Sequence, residues 1–195
     1  TLASPEYRTS NGGIWQPGDV IQAAIGQSDN AFTPLQLATY CATIANNGTR
    51  LKTHLVKQVT NYNRDQVISE TEPEVVAQVD ISEENLKTVQ EAMKGVTQSG
   101  GTANSVFDVF GITIAAKTGP AETPGLSDNV TFIAYAPYDD PEIAVAVVLE
   151  YGSRGTYSMN VAKDIFDAYF YGKTVDENGN LVMPEETNSS STANE

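Results

Sequence analysis

Apolar positions along the chain repeat with two spacings, one helical and one extended. In "TPLQLATYCATIANNG" (33–48), Leu37, Cys41 and Ile44 recur at helical spacing, and Ala38 and Ala45 widen the stripe they would bury. Thr33 is placed to cap this helix, Pro34 suits its first position, and Gln36 completes a Thr-x-x-Gln capping box. Gly48 supplies the stop. A second helix is predicted from Ser82, with Glu83 and Glu84 in the first turn, where the helix dipole favours negative charge. Leu86, Val89 and Met93 mark its inner face, and Ser99-Gly100-Gly101 ends it. A third, "SMNVAKDIFDAYFY" (158–171), is expected to turn Val161, Ile165 and Tyr169 inward and to stop at Gly172.

Strand patterns fill the intervals. "HLVKQVTNYNRDQVISE" (54–70) reads as a hairpin turning through Asn61 to Asp65. Runs at 111–118, "NVTFIAYA" (129–136) and "EIAVAVVLEY" (142–151) follow, and Pro137 to Pro141 form a tight link that suits an antiparallel pair. Residues 1–32, rich in Gly, Ser, Asn and Gln, read as loop with short ordered pieces. Helices, then a three-strand meander, then a helix predict an α+β fold with an antiparallel sheet covered by helices. That domain is expected over 1–172. Residues 173–195 are acidic, end in "NSSSTANE" and are expected to form a flexible tail.

Composition narrows the partners. Eleven basic against 25 acidic residues give a net charge of −14, which repels phosphate backbones and excludes nucleic acid as the expected partner. The 195 residues suffice for one domain with its own core, or one with a small appendage. No run approaches the roughly 18 apolar residues that cross a bilayer, and no signal-peptide pattern opens the chain. Thr1 is therefore expected to be a boundary set by processing or by truncation. Cys41 is the only cysteine and sits in an apolar pattern, where a buried thiol is expected rather than a nucleophile. His54 is the only histidine, so a Ser-His-Asp triad would depend on it alone; a surface or packing role is expected.

Chemistry gathers at "ITIAAKTGPAETPG" (112–125), where a β-branched run leads to Lys117-Thr118-Gly119 and then Pro120. Three residues alone are a weak signal. Their surroundings are specific: "GDVIQAAIGQSDNAFTPLQLATYCATIANNGTR" (18–50), "ISEENLKTVQEAMKGVTQSGGTA" (81–103), "AAKTGPAET" and "FIAYAPYDDPEIAVAVVLEYG" occur in order. Over roughly 18–170 the chain resembles the penicillin-binding D,D-transpeptidases, and its Ile-Gly-Gln form resembles the monofunctional, class B branch. The resemblance implies a C-terminal part of that domain in a partial penicillin-binding/β-lactamase-like fold. It implies acyl transfer without a cofactor or metal: a serine attacks the D-alanyl-D-alanine of a peptidoglycan stem peptide, and β-lactams acylate the same serine. It further implies the extracytoplasmic face of a bacterial membrane, an anchor outside this chain, and cell-wall synthesis proteins as possible partners.

By the same resemblance, Lys117 supplies positive potential, the Thr118 hydroxyl bonds the substrate's terminal carboxylate, and Gly119 lets the substrate backbone approach. The substrate would add beside the strand as an extra edge, reaching Ala121. The family's nucleophile motif, Ser-x-x-Lys, is absent from the chain. Ser28-Asp29-Asn30 and Ser127-Asp128-Asn129 both imitate the family's Ser-x-Asn, yet each stands outside that motif's place, and turn or capping roles are expected. The missing N-terminal part of the same domain is thus an expected partner. Its loss would leave 142–151 with an open edge and an exposed apolar face, a prompt for self-association.

Pro120 departs from the family, which carries Thr, Ser or Ala after Lys-Thr-Gly. That backbone N–H is one of two oxyanion-hole donors in the family, and proline has none. The favoured reading is impaired acylation; the alternative is a small shift that lets Ala121 supply the N–H. Trp15 is expected to anchor packing, and Glu122 to be solvated.

Overall fold

The computed structural model describes residues 1–123 and 125–184. Two short helices, α1 (Pro5–Ser10) and α2 (Pro17–Ala24), organise the Gly- and Asn-rich start, each with proline in its first turn, where no N–H is needed. The helix α3 (Pro34–Ala45) forms as its capping signals dictate: Gln36 N donates to Thr33 Oγ1 (3.2 Å) and Thr33 N to Gln36 Oε1 (2.9 Å). Cys41, Ile44 and Ala45 are buried along its inner stripe.

The next thirty residues form an exposed arm of nested antiparallel ladders. The outer pair is β1 (Thr49–Leu51) with β4 (Val75–Gln78); the inner pair is β2 (Gln58–Thr60) with β3 (Val67–Glu70). The inner pair is the hairpin expected over 54–70, with Asp65 N donating to Asn61 Oδ1 in the turn (3.2 Å). The outer pair carried no sequence signal, being three and four residues long.

The helix α4 (Glu83–Gly95) is capped by Ser82 and buries Leu86 and Met93. Val89, expected on that inner face, is exposed instead, because Gln90 takes the place nearest α3 and donates to the Ile44 carbonyl (2.8 Å). After the short α5 (Asn104–Phe107) comes one three-stranded antiparallel sheet: β5 (Ala115–Ala121), β6 (Asn129–Ala136) and β7 (Ile143–Leu149), with β6 central. The helix α6 (Gly155–Tyr171) follows, ending at Gly172 in the left-handed region (φ 67°).

Alternation along the strands splits the core in two. Ala116, Phe132, Ala134, Val145 and Val147 face α5 and α6, where they meet Phe107, Met159, Ala162 and Phe166. Ala115, Ile133 and Tyr135 face α3 and α4, where they meet Cys41, Ile44, Leu86 and Met93. With both faces covered, β6 reads as a continuous apolar run, and the α+β architecture follows.

Three further expectations need correction. The strand expected at 111–118 begins only at Ala115, because Gly111 (φ 32°) and the bond from Ile112 N to Phe110 O turn the chain first; it then runs past Lys-Thr-Gly to Ala121. The inward face of α6 is Met159, Ala162 and Phe166, while Val161 (41% exposed), Ile165 (39%) and Tyr169 (51%) face out. Two apolar stripes lie about one residue apart around that helix, and the one carrying Phe166 fits the Phe107–Phe132 stack. Finally, β7 is an edge strand as expected, but its apolar residues are not laid bare: Val145 and Val147 are buried under α6, and α3 covers the other face.

Beyond Gly172, β8 (Thr174–Val175) and β9 (Leu181–Val182) form a small hairpin within the stretch read as a tail. Asp176 accepts from Asn180 N (2.7 Å) and Asn178 N (2.9 Å) at its turn. The Asn180 backbone N–H foremost, then its side chain, holds the Asp176 carboxyl below the ordinary value. Residues 185–195, the rest of that stretch, lie outside the described residues.

Candidate active site

The Lys-Thr-Gly segment lies on β5, one border of the sheet, in register with β6: Lys117 opposite Ile133, Thr118 opposite Phe132, Gly119 opposite Thr131 and Pro120 opposite Val130. Lys117 Nζ donates to the Thr118 carbonyl, so that carbonyl faces out from the sheet border. In an antiparallel strand, the N–H and C=O of one residue point the same way, and successive residues alternate. Pro120 therefore shares the outward side with Thr118. This is the side on which a proline leaves the ladder intact, and pairing continues through Ala121 opposite Asn129.

Gly119 has an ordinary backbone conformation and room to spare: an added Cβ would meet nothing nearer than Thr131 Cβ at 3.9 Å. The fold's own packing does not require glycine there. What its absent side chain leaves open is the approach to the border of β5.

A second element reaches the same strand. The C-terminus of α4 turns back through 96–103, with Ala103 N donating to the Val96 carbonyl (2.9 Å). Thr97 Oγ1 donates to the Ile114 carbonyl (2.6 Å), which fastens this turn to the entrance of β5. At its tip Thr102 Oγ1 lies 3.1 Å from Thr118 Oγ1. Thr102 belongs to the Gly-Thr-Ala string visible in the sequence, but no spacing rule joins residue 102 to residue 118. Only the tertiary turn does.

Lys117 is exposed and, among the described residues, takes part in no ion pair, a property it shares with Arg50, Lys57, Arg64, Lys87, Lys94 and Arg154; what sets it apart is its place on β5. In a chain of net charge −14, this leaves one uncompensated positive group beside the outward carbonyls of β5.

Of the other sequence candidates, Asn129 opens β6 opposite Ala121 and Glu122 directly follows β5, but the rest have partners elsewhere. Ser28 Oγ and Asp29 Oδ2 are both bound by Arg8, and Asn30 accepts from Ala3 N (2.9 Å) while donating to the Ala23 carbonyl (3.0 Å). Together they pin the N-terminal segment. Asn129 Oδ1 accepts from Tyr151 N (2.8 Å) and the Asp128 carbonyl from Ser153 N (3.1 Å), tying the β5–β6 loop to the β7–α6 connection. Burial pushes the Cys41 thiol up to about 12, which keeps it protonated and inert. His54 is exposed on the arm, with Nδ1 3.3 Å from the Lys52 carbonyl. Trp15 lies under the Arg8 guanidinium at 5.9 Å and Glu122 is exposed.

This arrangement of strand, turn and helices has counterparts. Penicillin-binding protein 2A of Bacillus subtilis (strain 168) is 36% identical over 172 residues, which cover 78% of this chain and 24% of that protein. The structure of penicillin-binding protein 2B from Streptococcus pneumoniae (strain R6) superposes with a TM-score of 0.70 at 33% identity, covering 80% of this chain and 27% of that one. Penicillin-binding protein A from M. tuberculosis, solved as an imipenem acyl-enzyme complex, gives a TM-score of 0.67 at 28% identity, covering 87% and 39%. The chain thus spans about a quarter of the length of the curated relatives it matches. The family model for the penicillin binding protein transpeptidase domain matches residues 4–170, nearly the whole described fold, and to that family the chain belongs.

Proposed function

We propose that this chain is the C-terminal part of a peptidoglycan D,D-transpeptidase domain and supplies the substrate-side wall of its active site, working on the extracytoplasmic side of a bacterial membrane. The observation that carries this reading is β5, a sheet border with Lys117, Thr118 and Gly119 in register and a spare cation beside outward backbone groups. A stem peptide ending in D-alanyl-D-alanine lies along that border as an added strand, with its carboxylate at Lys117 and Thr118 and its backbone passing Gly119 to the outward Pro120 carbonyl and reaching Ala121. The nucleophilic serine comes from the part of the domain that this chain does not carry. β-Lactams acylate that serine from the same border, in keeping with the acyl-enzyme described for the M. tuberculosis relative.

Acylation is slowed in this protein, because Pro120 takes the place where the family supplies an oxyanion-hole N–H. Removing one such donor typically costs about 10²–10³ in rate. That proline also favours a second reading, a degenerate module that binds stem peptide or cell-wall synthesis partners without turnover. Incubating the complete domain with a fluorescent penicillin separates the two. Covalent labelling that survives denaturation excludes the non-catalytic module, whereas reversible binding with no covalent label over hours rejects the enzyme.

A further inference from the structure

The Thr102 hydroxyl, at the tip of the α4–α5 turn, has no part in the reading above. Resting on that reading, we propose that Thr102 is a positioning residue for the carboxylate subsite: its hydroxyl donates to Thr118 Oγ1 and leaves the single Thr118 proton for the ligand. The two oxygens are 3.1 Å apart, and either could be the donor in the free protein. A hydroxyl has one proton and two acceptor lone pairs, and an ionised carboxylate can only accept. Once a carboxylate takes the Thr118 proton, the bond between the threonines persists only with Thr102 as donor. Ligand binding therefore fixes a direction that the free pair lacks.

The surroundings of Thr102 hold it in place without giving it another task. Its side chain is exposed and contributes nothing to the core, and Thr118 is its hydrogen-bond partner among the described residues. On one side is Gly101, whose absent Cβ would lie 2.2 Å from the Val96 carbonyl oxygen. On the other is Ala103, fully buried against the α5–α6 core. Asn104 Nδ2 donates to the Thr97 carbonyl (3.3 Å), and Thr97 is itself fastened to Ile114 one residue ahead of β5. These bonds tie the turn to the strand and set the hydroxyl pair side by side.

The test is the binding of N-acetyl-D-alanyl-D-alanine and of its C-terminal amide to the complete domain, titrated by NMR. The wild type is compared with Thr102→Ser, Thr102→Val, Thr118→Val and the double valine variant. The wild type should prefer the acid over the amide. Thr102→Val should cut that preference about two- to tenfold, the worth of one neutral hydrogen bond, while Thr102→Ser keeps it and amide binding stays constant. The double variant should be no worse than Thr118→Val alone, as expected of two residues acting in series. An unchanged preference in Thr102→Val, equal losses for acid and amide, or losses that multiply in the double variant would each overturn the proposal. Circular dichroism checks folding, and Thr102→Ala replaces the valine variant if that one misfolds. A wild type with no preference for the acid sinks the carboxylate-wall reading as a whole, a result distinct from failure at Thr102.

Discussion

Gly101 offers a perturbation whose size can be worked from the structure. A Cβ there would lie 2.2 Å from the Val96 oxygen, 2.3 Å from the Gly95 oxygen and 2.5 Å from the Val96 carbonyl carbon. All three are backbone atoms, so no side-chain rotation relieves the contact. The shortest is about 0.8 Å inside the 3.0 Å that real Cβ atoms respect, and the end of α4 must move by a comparable amount. Overpacking of this kind costs about 1–3 kcal/mol, against which the stiffer unfolded chain of an alanine variant returns about 0.4–1 kcal/mol. With three backbone contacts under 3.0 Å the overpacking cost falls in the upper half of that range, so Gly101→Ala is expected to lose about 1–2.6 kcal/mol, or roughly 2–10 °C in Tm for a chain of this size. Scanning calorimetry reads the loss, and amide shifts concentrated at 95–104 and 114–118 read its location. A variant with Tm equal to or above the parent would refute the steric argument, and with it the claim that this turn is rigidly fixed to β5.

Two further outcomes follow from buried groups. Asp167 is held at the end of α6 by Lys163 (2.7 Å) and Lys173 (2.9 Å); burial alone would push its carboxyl up, but those lysine hydrogen bonds prevail and hold it below the ordinary value. A depressed folded value means the contribution is complete above the unfolded carboxyl value, near 3.9, and is lost as pH falls through the folded one. Asp167→Asn should thus cost about 1–3 kcal/mol at neutral pH and flatten the acid limb of a stability–pH curve; an unaltered limb would contradict the assignment. Cys41 is fully buried with its thiol raised to about 12, so iodoacetamide at pH 8 should leave it unmodified until denaturant is added, and rapid labelling of the native protein would show that α3 is misplaced.

Local signals made much of this fold legible. The capping box at Thr33 and Gln36, the cap at Ser82, the left-handed stop at Gly172 and the span of β6 depend on residues a few positions apart, and each appears where the sequence places it. The misreadings arise where longer-range packing decides. In α6, Val161, Ile165 and Tyr169 form as good an apolar stripe as Met159, Ala162 and Phe166, and only the stacked Phe107 and Phe132 choose between them. At 111–114 the β-branched run looked extended, but the Phe110–Ile112 turn delays the strand until Ala115. The strands β1 and β4 are short and stabilise each other across a 23-residue interruption that no local pattern spans. Within the site, Lys117 to Pro120 stood out as a motif, whereas Thr102 acquires a place beside Thr118 only through the fold.

The central claim is that β5 forms the substrate-side wall of a transpeptidase and that Pro120 removes an oxyanion donor from it. Pro120→Thr in the complete domain tests this most directly, through the rate constant for acylation by a penicillin. Because Pro120 lies on the outward side of the sheet border, a threonine there adds an outward N–H without disturbing the ladder to β6. The account predicts an acylation rate about 10²–10³ higher than the parent's, equivalent to roughly 2.7–4 kcal/mol of barrier. An unchanged rate, with the variant folded as the parent is, would mean that Pro120 is not at the oxyanion hole.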